Sequence, residues 1–196
     1  MKLSNMSSTP RDRILDAAKN LFAQYGYQRT SMVDIAKAAG LSRPALYLQF
    51  HSKDEVYLAL AEAVVSRALN DAQAAWVDGS DFDTNLKNVI LAKDLPMYRL
   101  LHASPHGAEL LAIDAAATER FAKALDEGFA AILANHAQRL ADQNRVDLSL
   151  FGGAAGFGRR VAVFASGLKH ETKTESDYVQ ALDCLIQIIA HAAVKG

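Results

Sequence analysis

The run Ser42-Arg43-Pro44-Ala45-Leu46-Tyr47-Leu48-Gln49-Phe50-His51 gathers side chains whose chemistry is recognition, not bond-making. Arg43 can present two parallel N–H donors to a guanine edge, and Tyr47 and Thr30 can reach phosphate oxygens. Gln49 and His51 stand near the same edge. Lys53, with the free N–H groups that open the next helix, forms a phosphate site. Ser31, Ser42, Pro44 and Ala45 complete the candidate DNA-binding set. Elsewhere the chemistry is thinner. His102, His106 and Glu109 fall at i, i+4 and i+7, but Pro105 interrupts the helix that would stack them as metal ligands. Gly152, Gly153, Gly156 and Gly158 lack the preceding strand of a dinucleotide loop. No Ser–His–Asp set and no paired carboxylates stand out, so no cofactor, no metal and no enzymatic activity are expected.

Local signals define the elements that position the recognition run. Ser31 can cap a short helix with Asp34 three residues on as the returning half of a capping box. Met32, Ile35, Ala36 and Ala39 then share one face. Gly40 supplies the left-handed residue that ends this helix. Ser42 caps the next, Leu41 can staple onto Leu46, and Leu46 and Phe50 point inward, four residues apart. Arg43, Pro44, Ala45, Tyr47 and Gln49 are left outside. Two short helices braced by a glycine turn predict a helix-turn-helix, its second helix shaped for the major groove. Thr9-Pro10-Arg11-Asp12 opens an earlier helix that buries Ile14, Ala18, Leu21, Phe22 and Tyr25 and stops at Gly26. The head is thus three helices, residues 1–53, and Ser52-Lys53-Asp54-Glu55 starts a long fourth helix to about Trp76.

The run T-S-M-V-D-I-A-K-A-A-G-L-S-R-P-A-L-Y-L-Q-F-H-S-K-D-E resembles the DNA-binding domain of the TetR family of transcriptional regulators. Thr30, Ile35-Ala36, Ala39-Gly40, Leu41-Ser42, Leu46-Tyr47, Phe50 and Ser52 to Glu55 agree in register. One departure is Arg43-Pro44, where many members carry Gly two residues after the serine. Proline fits a first helical turn, so the fold is unaffected but base preference does not carry over. The resemblance implies a ligand-binding and dimerisation body, residues 54–196, linked to the head by helix four (53–76). It implies a double-stranded operator, a small-molecule effector and a homodimer. The effector is expected to be mostly apolar and enclosed between the fourth and eighth helices, where Trp76, Met97, Tyr98, Leu101, His102, Phe121, Phe129 and Phe157 fall, with Phe82 and Phe164 nearby. The last two helices are expected to pair between subunits. Gly153 and Gly156 would permit close approach, beside a stripe that includes Leu182, Leu185 and Ile189.

Bulk properties agree. The 196 residues are 51% hydrophobic and carry a net charge of −1. Residues 1–53 hold eight Lys/Arg against three Asp, so a head of +5 sits on a remainder of −6, the asymmetry expected of a chain that meets phosphate at one end. One cysteine, Cys184, excludes an internal disulfide and is expected to be a buried structural thiol in a reducing cytosol. No apolar run reaches the roughly 20 residues that span a bilayer, so a cytoplasmic protein with no membrane partner is expected. The whole chain reads as all-α, with about nine helices and no strand pattern. Breaks are expected at residues 79–83, 95–96 and 105, and His136 is expected to be a hydrogen-bonded core histidine. Two other classes remain open: a small-molecule-binding protein or enzyme with a vestigial helix-turn-helix, and an architectural DNA-binding factor without an effector.

Overall fold

The computed structural model describes residues 9–103 and 105–194. Residues 1–8, read from the sequence as a loose polar tail, lie outside the described residues. The order is α1 Pro10–Tyr25, α2 Met32–Ala38, α3 Arg43–Tyr47, α4 Lys53–Ala74, α5 Phe82–Ala103, α6 Ala115–Asp142, α7 Gly153–Glu171 and α8 Glu175–Ala193. Two 3₁₀ turns, Ala108–Ala112 and Ser149–Phe151, join α5 to α6 and α6 to α7. Among the described residues there is no strand, only one antiparallel bridge between Val146 and Val194. Among the described residues no helix is long and apolar enough to cross a membrane.

Among the described residues eight α-helices replace the nine expected, because the short helix expected at about 106–113 forms only a 3₁₀ turn. Pro96, expected as a break, does not end a helix. It lies inside α5, on an exposed position. An interior proline costs about 3 kcal/mol. Each fully buried apolar side chain contributes roughly 1.5–3 kcal/mol. Leu86, Val89, Ile90 and Tyr98 are all buried from α5, enough to carry the helix through.

The chain divides into two compact units, residues up to Val64 with Arg99–Glu119, and Val65–Tyr98 with Arg120 onward. The first is organised on Ile14, Ala18, Phe22, Ile35, Leu46, Phe50, Val56 and Tyr57. Leu110, from the 3₁₀ turn, joins this core, and the Tyr57 hydroxyl donates to its carbonyl at 2.8 Å. The second unit is built on Leu86, Ile90, Phe129, Leu133, Phe157, Val161, Tyr178 and Leu182. There α7 lies very close to α6. A Cβ at Gly158 would sit 2.1 Å from the Ala130 carbonyl oxygen, so only glycine fits. That close approach, within one chain, offsets the helix-propensity cost of glycine at this position.

The second unit also holds a charged cluster that composition could not reveal. Asp94 Oδ1 accepts from Lys93 Nζ at 2.9 Å and from Lys169 Nζ at 3.0 Å, while Oδ2 accepts from the Tyr178 hydroxyl at 2.7 Å. Lys93 Nζ lies 4.5 Å from the centre of the Phe129 ring. Burial holds the Lys93 amine below its usual range. Burial pushes the Asp94 carboxyl upward, but the two lysines outweigh it and leave the group lowered.

Candidate nucleic-acid interface

The α2–turn–α3 unit is held by satisfied ends. Ser31 Oγ accepts from the Asp34 amide at 3.2 Å, and Asp34 Oδ2 accepts from the Ser31 amide at 2.9 Å, a complete capping box. The Ser31 hydroxyl also donates to Asp34 Oδ2 at 2.6 Å, and this bond, then the Ser31 amide, holds the exposed Asp34 carboxyl below its usual range. The α2 C-terminus closes with Leu41 N–H donating to Ala36 O at 2.9 Å and Gly40 N–H to Lys37 O at 3.2 Å. Gly40 has φ +65°, the left-handed residue this Schellman turn requires. Ser42 Oγ then accepts from Ala45 N–H at 3.3 Å and opens α3, with Pro44 in its first turn.

Packing sets which way α3 faces. Leu46 and Phe50 are fully buried. Their burial turns Ser42, Arg43, Pro44, Tyr47 and Gln49 outward, and Ala45 is half-buried at the margin. The Arg43 guanidinium lies 5.5 Å from the Tyr47 ring centre, a contact that keeps two polar tips on one surface. Leu48, which the sequence reading did not assign, is 82% exposed on this same face. Its position two residues from both buried anchors is the signal that places it there. Val33 on α2 is also exposed.

Two expected phosphate ligands, Thr30 and Lys53, also make structural bonds within the head. Thr30 is 3% exposed, and its hydroxyl donates to the Gly26 carbonyl at 2.9 Å. Lys53 Nζ donates to the carbonyls of Tyr27 at 2.7 Å and Thr30 at 2.9 Å and lies 4.2 Å from the Tyr27 ring centre. It pins the α1–α2 connection to the start of α4. The Tyr27 hydroxyl donates to Asp54, and burial, then this bond, raises its pKa well above the usual phenol range. His51 is exposed, with its backbone N–H donating to Glu55 Oε2 at 2.6 Å. Ser31 stays at the exposed edge. Arg43, Pro44, Tyr47, Gln49 and His51 therefore lie together on the outside, whereas Thr30 and Lys53 are the frame behind them.

Residues 14–60 match the family model for bacterial regulatory proteins of the tetR family. The head, over residues 14–60, is a TetR-family DNA-binding domain. Among its relatives, the HTH-type transcriptional repressor ComR of Escherichia coli is 33% identical over 94 residues, covering 44% of this chain and 45% of ComR. The HTH-type transcriptional activator FasR of Mycolicibacterium smegmatis is 31% identical over 105 residues, covering 50% of this chain and 48% of FasR. The chain thus spans about half the length of the curated relatives it matches. A solved TetR-family structure from Mesorhizobium loti superposes with a TM-score of 0.74 at 16% identity, covering 98% of this chain and 100% of that one. The SmeT–triclosan complex gives 0.63 at 20% identity, covering 96% and 93%. At such identities these two likenesses establish the TetR fold.

The remaining site residues fall as follows. Phe129 and Phe157 are fully buried in the core of the second unit, and Tyr98 stacks on Tyr178 with ring centres 6.0 Å apart. Met97, Leu101 and Phe121 are half-buried and His102 is exposed. Only Trp76, of the eight candidate ligand contacts, lines a cavity described below. Leu182 and Ile189 are buried in the core of the second unit, and Leu185 packs partly against it. Gly156 is enclosed within the chain, since a Cβ there would lie 2.0 Å from the Phe151 carbonyl oxygen. Gly153 opens α7 at φ +82° with nothing within 4 Å. Cys184 is exposed rather than buried, because it lies on the face of α8 opposite Leu182 and Ile186.

Proposed function

We propose that the protein is a sequence-specific DNA-binding transcriptional regulator that works as a homodimer and, in the cytosol, represses until a small molecule releases it. The observation that carries this reading is the orientation of α3. Leu46 and Phe50 are buried, and Arg43, Pro44, Tyr47 and Gln49 form one continuous exposed edge on a capped, rigid frame. Arg43 is the residue to read a base, and Tyr47, Gln49 and His51 set the register on the backbone. The repressor sense follows ComR and the activity of SmeT, described as the repressor of a multidrug efflux pump in Stenotrophomonas maltophilia. SmeT in complex with triclosan supports a small-molecule effector.

Dimerisation is assigned to the outer faces of α7 and α8. Val163, Phe164 and Ile188 are exposed there, apolar side chains that a partner copy would cover. Two-fold symmetry then requires a pseudo-palindromic operator with half-sites one helical turn, or a multiple, apart. Release is a population shift, and emptying a nearly full operator requires the effector to prefer the non-binding state by roughly 10⁴-fold.

The experiment is titration of the purified protein against DNA from around its own gene and then genome-wide fragments, with scrambled competitor and stepped salt. Competitor-resistant binding to a palindromic segment, lost in Arg43→Ala, is the expected result. Binding that is equally weak on every fragment and vanishes with salt would overturn sequence-specific regulation.

A further inference from the structure

The second unit contains a cavity of about 240 Å³ that the α3 site does not use, and its walls are unusually well fixed. Asn85 builds one of them. Its side-chain Oδ1 accepts from Val77 N–H at 2.8 Å, and Nδ2 donates to the carbonyls of Val77 at 2.9 Å and Ser80 at 3.4 Å. One buried amide thus clamps the loop between α4 and α5 into a rim. The opposite wall is aromatic. Trp76 stacks on His136 with ring centres 4.2 Å apart and planes 14° from parallel. Gln73 and Arg139 engage the two ring nitrogens, and Arg139 donates to Nδ1. An imidazole that accepts at Nδ1 from Arg139 is neutral, and the Gln73 side-chain amide lies 3.0 Å from its Nε2.

The charges that face the cavity are Asp78, Arg139 and Arg145, which leaves a net of +1 beside the neutral His136. Arg139 is anchored by the imidazole, whereas Arg145 makes no ion pair among the described residues. An aromatic plate, a prepositioned guanidinium and a second, unpaired one form a receptor for a flat anion. Size narrows the class, since drug-sized ligands occupy roughly 300–1,000 Å³. We propose that this cavity binds a small aromatic carboxylate, its ring against Trp76 and its carboxylate between Arg139 and Arg145.

Trp76 is the one tryptophan in the chain, so its fluorescence reports the site directly. Titration of the full-length protein with benzoate should give a saturable change with a half-point of about 1 mM or tighter. Benzamide, with the same ring and no charge, and acetate, with the charge and no ring, should each bind at least ~10-fold more weakly. Arg145→Gln should weaken benzoate by ~10-fold or more while the helical circular dichroism is retained. Absence of saturation, an equal response to acetate, or benzoate binding unchanged in Arg145→Gln would each overturn the assignment. Because the readout is binding, the test is independent of whether any operator is released.

Discussion

Replacing Asp94 with Asn keeps the side chain's shape and removes its charge, at the centre of the buried cluster in the second unit. Lys93 Nζ, whose side chain is 1% exposed, loses the carboxylate 2.9 Å away, and Lys169 loses the same oxygen at 3.0 Å. Breaking one member of a buried ion pair costs about 3–5 kcal/mol. Lys93 has an escape, since burial already holds its amine below the usual range and it can shed its proton rather than remain unpaired. The expected loss is therefore at the lower end, about 3 kcal/mol, or roughly 6–12 °C in Tm for a chain of this size. Urea unfolding at fixed protein concentration measures it, because the proposed dimerisation would make apparent stability depend on concentration. The pH dependence supplies the sign. Asp94's folded carboxyl is lowered, so its contribution is present above the unfolded carboxylate value and is lost as pH falls through the folded one. The gap between the native chain and Asp94→Asn should therefore close on acidification below about pH 4. Adding Lys93→Met to Asp94→Asn should recover part of the loss, because no buried ammonium remains beside the amide. A loss below about 1 kcal/mol at neutral pH, or a gap that does not narrow in acid, would refute the reasoning.

Gly158→Ala forces a methyl group to 2.1 Å from the Ala130 carbonyl oxygen. It should cost about 1–3 kcal/mol of stability by overpacking, measured by thermal unfolding. Arg43→Ala should weaken specific DNA binding by about 1–3 kcal/mol at unchanged stability. Thr30→Val should do the reverse, losing about 1 kcal/mol of stability through the missing bond to Gly26 with specific affinity intact, and gel-shift titrations beside melting curves separate the two. Burial, then the neighbouring Arg139 charge, lowers the His136 pKa against the opposing pull of Asp78. The folded state therefore prefers the neutral ring. Its stabilising contribution is full above the unfolded value of about 6.5 and is lost as pH falls through the lowered one. Native protein should melt progressively earlier on acidification through that window, and His136→Asn should flatten the profile.

What the sequence revealed and what it hid divide by the range of the interaction. Thr9, Ser31 and Ser42 cap helices through bonds to residues three positions on, and Gly40 turns the chain within one Schellman motif, so a short window of sequence contains every partner. The same holds for Leu46 and Phe50, whose four-residue spacing alone fixes which side of α3 is exposed. The structural bonds of Lys53 were hidden because their partners are distant: Lys53 reaches back 26 residues to Tyr27 O, and its charge says nothing about that bond. Asp94 is the extreme case, with partners 75 and 84 residues away at Lys169 and Tyr178. No periodicity distinguishes a lysine that closes such a cluster from one that faces water. Pro96 fails for a related reason, since a local rule ends the helix and burial along the whole of α5 overrides it. A charge pattern can therefore locate a phosphate-facing head, but it cannot say which cations remain free to face phosphate. In this head Thr30 and Lys53 are tied to the frame, and Arg43 is the first base reader to test.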